Sequence, residues 1–190
     1  MYYCPKESGI ELQNGELTPG LKTQCCPDCG GVWLAAEAYS NWQRQQIDPD
    51  APFVLSILPL SLNLPFRGSP LDNRAGLCPA CRHYLVRGRI NLKTGSFFVE
   101  RCPNCKGYWC DQGEWQILEK LGLHTHLEQI FSGDWQAQLR DLELAEREKQ
   151  ATIEKLGPEI AAKLFDLARL LEDHPNGDFG VAYLMRRFEQ

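Results

Sequence analysis

Four cysteines in the middle of the chain have the residue type and spacing needed to bind one metal ion. They form two Cys-x2-Cys pairs, Cys78/Cys81 and Cys102/Cys105, with twenty residues between the pairs. Zinc favours a tetrahedral shell with sulfur at about 2.3 Å, and two such pairs can close that shell from opposite sides. Four thiolates leave no open position for water or substrate. The sequence therefore predicts one structural Zn²⁺ site here and no catalytic metal.

The residues between the two cysteine pairs predict a β-hairpin. Two apolar runs flank Lys93–Ser96, where Gly95 is available for positive φ in the turn. The runs are Tyr84, Val86, Ile90 and Leu92 on one side and Phe97, Phe98 and Val99 on the other. Such a unit is too small to be held by its core alone. We therefore expect metal binding to supply much of its folding free energy.

An approximate repeat relates two parts of the chain. Residues 26–34 read CPDCGGVWL and residues 102–110 read CPNCKGYWC, and each segment follows an earlier Cys-Pro. We interpret them as two copies of one small unit, at 1–46 and 75–122.

The first copy has an incomplete set of cysteines. Cys4, Cys26 and Cys29 occupy the ligand positions, but Glu7 stands where the fourth cysteine belongs. Cys25 and Glu7 are both candidates for a fourth ligand, although a carboxylate suits a thiolate-rich zinc shell less well. The sequence leaves open whether this copy binds a second Zn²⁺.

The second copy resembles a known family. Cys78-Pro-Ala-Cys81 and the later segment CPNCKGYWCDQGEW, residues 102–115, are similar to the transcription factor IIB-type zinc-ribbon family. Its pattern is Cys-Pro-x-Cys, a hairpin, then Cys-Pro-x-Cys-x-Gly-x-Trp-Leu-Asp-x-Gly-Glu. The resemblance implies a zinc-ribbon fold and zinc binding, but little about activity, because the family is functionally diverse. Cys110 replaces the family leucine, and we interpret it as a buried or free thiol.

The rest of the chain predicts a connector and a helical region. Residues 47–74 hold five prolines and an alternating apolar run near 60–66, which indicates an extended segment that packs on a neighbouring domain or is exposed to a partner. Asp111 and Glu114 fit a capping box. Residues 123–190 predict helices from Asp134 and Asp178 and a break at Gly157-Pro158.

The expected fold class is α+β: two tandem zinc-ribbon β units with rubredoxin-like knuckles, and an α-helical C-terminal region. We expect Trp109, and Trp33 in the first copy, to form small cores beneath the cysteine turns.

Charge is unevenly distributed in this chain of net charge −5. Residues 74–110 carry seven basic side chains and one acidic one, whereas residues 111–190 carry nine basic and sixteen acidic ones. The basic segment predicts contacts with nucleic acid or an acidic partner, unless it pairs with the acidic tail. The candidate contact residues are Arg82, Arg87, Arg89, Lys93, Arg101 and Lys106.

These observations favour a non-enzymatic zinc-binding module for protein interaction or assembly. The alternative is a nucleic-acid-binding or transcription-associated zinc ribbon that uses the basic segment. A thiol redox protein is a third reading, which needs an accessible thiol of low pKa, whereas these thiols are expected to bind metal. No secretory signal or membrane-spanning stretch is visible, so we expect a cytoplasmic protein with a protein partner and no small-molecule substrate.

Overall fold

The computed structural model describes residues 1–47, 66 and 68–188. It contains two compact units, Met1–Gln136 and Ala137–Gln190. Most of the predicted connector at 47–74 lies outside the described residues, and so does its alternating apolar run except for Phe66, whose ring centroid is 5.2 Å from that of Phe97. Within the described part of the chain, no helix is both long and apolar enough to cross a membrane.

One antiparallel sheet of six strands joins the two copies of the repeat. The strands are β1 (Gln13–Thr18), β2 (Leu21–Cys25), β3 (Val32–Leu34), β4 (Val86–Leu92), β5 (Gly95–Arg101) and β6 (Tyr108–Cys110). Their order is β1-β2-β3-β6-β5-β4, so each copy supplies three neighbouring strands. The copies meet at the centre, where β3 pairs with β6. The two predicted units therefore share a single sheet.

The predicted hairpin of the second copy is confirmed. β4 pairs with β5 from Val86↔Arg101 to Leu92↔Gly95, which leaves Lys93 and Thr94 as the loop. Gly95 has φ +143°, as its position in the turn suggested. Alternate side chains such as Ile90 and Phe97 are buried, while Arg87 and Arg89 are exposed. This alternation follows from the two-residue period of a strand.

Five α-helices lie in the described part of the chain and, with the sheet, confirm the α+β class. They are α1 (Ala36–Gln46), α2 (Glu114–Leu121), α3 (Gly133–Leu156), α4 (Pro158–Glu172) and α5 (Gly177–Phe188), and a 3₁₀ helix covers Leu127–Phe131. The predicted break at Gly157-Pro158 separates α3 from α4, because proline suits the first helical turn. Helix α1 carries the buried side chains Tyr39 and Trp42.

One of the two hydrogen bonds of the predicted capping box is present. Glu114 Oε2 accepts a hydrogen bond of 2.8 Å from the backbone N–H of Asp111, as expected. The Asp111 carboxylate, however, accepts from Trp109 Nε1 at 2.7 Å and does not cap the first turn of α2. The indole is fully buried, so its N–H needs an acceptor, and Asp111 provides it.

Candidate metal centres

The four cysteines of the second copy converge on one point. Their sulfurs all lie within 4.8 Å of one another. Cys78 Sγ is 3.4 Å from Cys105 Sγ, and Cys81 Sγ is 3.4 Å from Cys102 Sγ, so each contact joins one cysteine from each pair. A tetrahedral zinc shell places its sulfurs about 3.8 Å apart, given a Zn–S distance of about 2.3 Å. This group is therefore close enough to hold one metal ion.

Two similar turns bring these sulfurs together. The backbone N–H of Arg82 donates to the carbonyl of Cys78, and that of Lys106 donates to the carbonyl of Cys102, both at 3.0 Å. Arg82 and Lys106 both have φ +63°. This value lies in the left-handed region of backbone conformation, which residues other than glycine adopt only rarely. These two basic residues therefore occupy equivalent positions, each directly after the second cysteine of its pair.

Hydrogen bonds from backbone N–H groups lower the pKa of these thiols, whereas burial raises it. The backbone N–H of His83 lowers the pKa of Cys81 to about 5, and Asn104 contributes in the same direction. Burial raises the pKa of Cys78. A bound cation stabilises thiolates directly, so it would offset the cost of ionising the buried Cys78.

The cysteines of the first copy form a second, smaller group. The sulfurs of Cys4, Cys26 and Cys29 lie within 4.8 Å of one another, with 3.7 Å between those of Cys4 and Cys29. The turn is built like those of the second copy: Gly30 N donates to the carbonyl of Cys26 at 3.1 Å, and Gly30 has φ +68°. Three convergent thiols are also close enough to hold a metal ion.

Neither predicted candidate for a fourth ligand belongs to this group. Cys25 Sγ lies 3.3 Å from Thr23 Oγ1, at the end of β2. Glu7 approaches Cys4 Sγ through its backbone N–H, at 3.2 Å. Cys110 lies outside both groups and is fully buried, in agreement with its interpretation as a buried thiol.

The two cysteine groups pack against one shared core. Cys4 and Cys26 of the first copy and Cys78 and Cys102 of the second belong to a single cluster of buried residues. The other buried members are Leu12, Trp33, Leu85 and Trp109. The expectation of a small core under each set of turns is thus replaced by one core that both copies build.

A third cluster was not foreseen from the sequence. Asp72, Asp111 and Glu114 are buried, and one carboxylate oxygen from each lies within 4.8 Å of the others. The fully buried ammonium of Lys6 pairs with Glu100 and lies 3.8 Å from Asp111 Oδ2. Burial raises the pKa of Glu100 to about 8 and raises that of Glu114 strongly. The capping motif was the only sequence signal for this network, because Lys6, Asp72 and Glu100 are distant in sequence.

The six predicted basic contact residues divide into two sets. Arg82 and Lys93 lie apart from the others, Lys93 in the β4–β5 loop. The other four residues border one pocket, but the strand register places the side chains of Arg87 and Arg89 on the opposite face of the sheet from that of Arg101; the fourth is Lys106. Within the unit Met1–Gln136, none of the six forms an ion pair with a carboxylate of the described residues.

Comparisons with family models, with curated proteins and with solved structures gave no match for this chain. The similarity to transcription factor IIB-type zinc ribbons therefore rests on the residues of the second copy alone.

Proposed function

We propose that this protein is a zinc-binding, non-enzymatic module for protein interaction or assembly. The observation that carries the proposal is the convergence of Cys78, Cys81, Cys102 and Cys105 within 4.8 Å. Thiolates are soft ligands that select zinc over hard cations, and a shell of four has no vacant position for a substrate. A rubredoxin-like knuckle at each cysteine pair and a zinc-ribbon classification are parts of this proposal.

The first copy is proposed as a second and weaker metal site. It presents three thiols where the other copy presents four. An exchangeable water or an exogenous ligand would complete the shell of a zinc ion there. The same copy also contributes to the shared core, so its fold has a structural role whether or not metal is bound.

Exposed apolar side chains support a protein partner. In the unit Ala137–Gln190, helices α4 and α5 leave large apolar groups exposed, including Ile160, Leu170, Phe179 and Met185. Large apolar groups left exposed on consecutive helices are candidates for contact with a protein partner. A thiol redox activity is not proposed, because the thiols that would perform it lie in groups whose sulfurs are close enough to hold a metal ion.

The proposal is tested by metal analysis and affinity capture on one preparation. Purified protein that has not met a chelator should contain at least one zinc per chain and should retain a defined protein partner. Cys102→Ser should lose zinc, unfold the second copy and lose the partner. Cys25→Ser is the matched control, since Cys25 lies outside both groups, and it should behave as the unmodified chain. Metal-free protein that is fully folded and still binds its partner would contradict the proposal.

Nucleic-acid binding is a second candidate function. The observation that favours it is the set of basic residues in 74–110 that form no ion pair with a carboxylate among the described residues. Cations without a carboxylate partner attract a phosphate backbone, and the resulting affinity falls steeply with salt. The full chain should then bind single-stranded oligonucleotides with a strong salt dependence. Binding that is absent at low salt would exclude this function.

A further inference from the structure

The cysteine group of the first copy borders a pocket on the side of residue 7. The backbone N–H of Glu7 donates to Cys4 Sγ at 3.2 Å. The second cysteine of a turn makes the same contact in the other copy, where the N–H of Cys105 donates to Cys102 Sγ at 3.4 Å. Glu7 and Cys29 are both partly exposed, and both line a pocket of about 540 Å³. The position that a thiol holds in the second copy is therefore open to solvent in the first.

The first copy does not supply a fourth ligand of its own. Within the described residues of Met1–Gln136, no histidine, no further cysteine and no carboxylate joins the group of Cys4, Cys26 and Cys29. Zinc favours four ligands, so a zinc ion held by these three thiolates takes one more ligand from outside the group. The pocket beside Glu7 and Cys29 gives such a ligand access to the sulfurs.

The charges around this position favour a neutral ligand. Three thiolates exceed the charge of Zn²⁺ by one, and the carboxylates of Glu7 and Asp28 line the pocket. The described lining residues include no basic side chain. A thiolate or carboxylate ligand would bring a further negative charge close to these groups, which costs free energy. A neutral nitrogen ligand avoids that cost, and one imidazole beside three cysteines is a common zinc shell.

The pocket also offers hydrogen-bond acceptors to a bound imidazole. An imidazole that binds a metal through one nitrogen carries an N–H on the other, and this N–H almost always donates to a carboxylate, a carbonyl or water. Glu7, Asp28 and Gln112 line the pocket and carry such oxygens. Gln112 belongs to the second copy but packs on the first, since a Cβ on Gly30 would lie 2.9 Å from its Cδ. Both copies therefore contribute acceptors to the pocket.

We propose that the metal ion of the first copy takes its fourth ligand from a partner protein, as the imidazole of a histidine side chain. The inference rests on the second metal site proposed above and names the exogenous ligand of that site. The two copies then have different roles. The four thiolates of the second copy close a structural shell, whereas the three thiolates of the first leave one position for contact with a partner.

The test uses the full chain with zinc in the second copy and Co²⁺ as a spectroscopic probe in the first. One equivalent of zinc is added before one equivalent of Co²⁺, because four thiolates hold zinc more tightly than three. Imidazole should change the visible absorption of Co²⁺ saturably. 1-Methylimidazole, which has no N–H to donate, should bind about threefold more weakly. 2-Mercaptoethanol and acetate should bind at least about tenfold more weakly than imidazole, because their anions meet the charge of the pocket.

Three variants locate the response. Glu7→Cys closes the shell, so it should bind Co²⁺ without any response to imidazole. Glu7→Gln is the matched control: it keeps an oxygen acceptor at the same position and should retain both the Co²⁺ and the response. Cys29→Ser should lose the Co²⁺ and keep the zinc. Thermal unfolding of each variant confirms that the fold is intact.

The outcomes separate this inference from the function on which it rests. A chain that binds neither metal overturns the zinc-binding function itself. Zinc without Co²⁺ overturns the second metal site, and Co²⁺ that does not respond to imidazole overturns the present inference alone. Loss of Co²⁺ from Glu7→Gln would make the Glu7 carboxylate the fourth ligand and overturn the inference. An equal response to imidazole, 2-mercaptoethanol and acetate overturns the assignment to nitrogen. Metal-dependent dimerisation without imidazole, seen by sedimentation, overturns a separate partner as the source of the ligand.

Discussion

Trp33 and Trp109 lie directly opposite each other across the central strand pair β3–β6. Each indole also packs on a glycine of the other copy. A Cβ on Gly107 would lie 2.4 Å from Cζ2 of Trp33, and a Cβ on Gly31 would lie 2.2 Å from Cζ2 of Trp109. The exchange is reciprocal, so the Gly-x-Trp sequence of each copy forms half of one interface. The repeated Gly-x-Trp sequence therefore has a structural role in joining the two copies, and this role does not depend on metal.

The first prediction concerns that interface. Gly107→Ala places a methyl group inside the contact distance of the Trp33 ring, where the fully buried indole has little room to move. We expect the free energy of unfolding to fall by about 1–3 kcal/mol or more, as measured by denaturant titration. Gly133→Ala is the control, because no heavy atom lies within 4 Å of its added Cβ. An unchanged denaturation midpoint for Gly107→Ala would show that the Trp33 indole is not tightly packed against residue 107.

The second prediction completes the smaller cysteine group. Glu7 stands where Cys81 stands in the second copy, and its backbone N–H already donates to Cys4 Sγ at 3.2 Å. Glu7→Cys should therefore give a second zinc per chain that resists a chelator as well as the first does, because four thiolates close the shell.

The control for this prediction is Glu11→Cys, which adds a thiol at an exposed position outside the group. It should leave the number of chelator-resistant zinc ions unchanged. Equal zinc retention by the two variants would argue that Glu7 is not at a ligand position.

The third prediction concerns the buried ammonium of Lys6. It joins the first copy to Glu100 and Asp111 of the second, and its Nζ also donates to the carbonyl of Arg74 at 2.9 Å. At a pH above about 8, where the Glu100 carboxyl is ionised, Lys6→Ala leaves buried carboxylates without their cation and should destabilise the fold by about 3–5 kcal/mol in denaturant titration.

Lys22→Ala serves as the comparison for Lys6→Ala, because Lys22 is exposed on β2. It should change the free energy of unfolding by less than about 0.5 kcal/mol. If both substitutions have equally small effects, the Lys6 ion pairs contribute little to the joining of the copies.

The fourth prediction is a pH dependence centred on Glu114. Burial raises the pKa of this carboxyl well above 4.5, so the folded protein keeps a proton that the unfolded chain releases. The corresponding stabilisation is complete in acid and is lost as the pH rises from about 4.5 towards the folded pKa. Glu114→Gln has no such proton to lose. The variant should therefore gain stability relative to the unmodified chain as pH rises, by up to about 1.4 kcal/mol per pH unit.

Denaturant titrations at several pH values with saturating zinc measure this difference. The effect of pH on zinc binding is common to both proteins and cancels in the comparison. Glu154→Gln, at an exposed position on α3, should show no pH-dependent difference. Parallel stability curves for Glu114→Gln and the unmodified chain would mean that Glu114 ionises normally.

The sequence by itself determined the local features of this protein. The cysteine spacing identified both groups of thiols, the alternation around Gly95 predicted the hairpin, and Gly157-Pro158 located the break between α3 and α4. These predictions were correct because they depend on contacts between residues close in sequence and on the backbone preferences of individual residue types. The hairpin also connects the pair Cys78/Cys81 to the pair Cys102/Cys105, so their convergence could be expected from the sequence.

Only the tertiary structure decided how these parts combine. The pairing of β3 with β6, the exchange of Trp33 and Trp109 between copies, and the burial of Lys6 beside Glu100 join residues from different copies of the repeat. No short-range pattern encodes such pairings, because they arise when two apolar sheet edges exclude water together. The same strand pairing decides where the predicted cations lie: it places the side chains of Arg87 and Arg89 on one face of the sheet and that of Arg101 on the other.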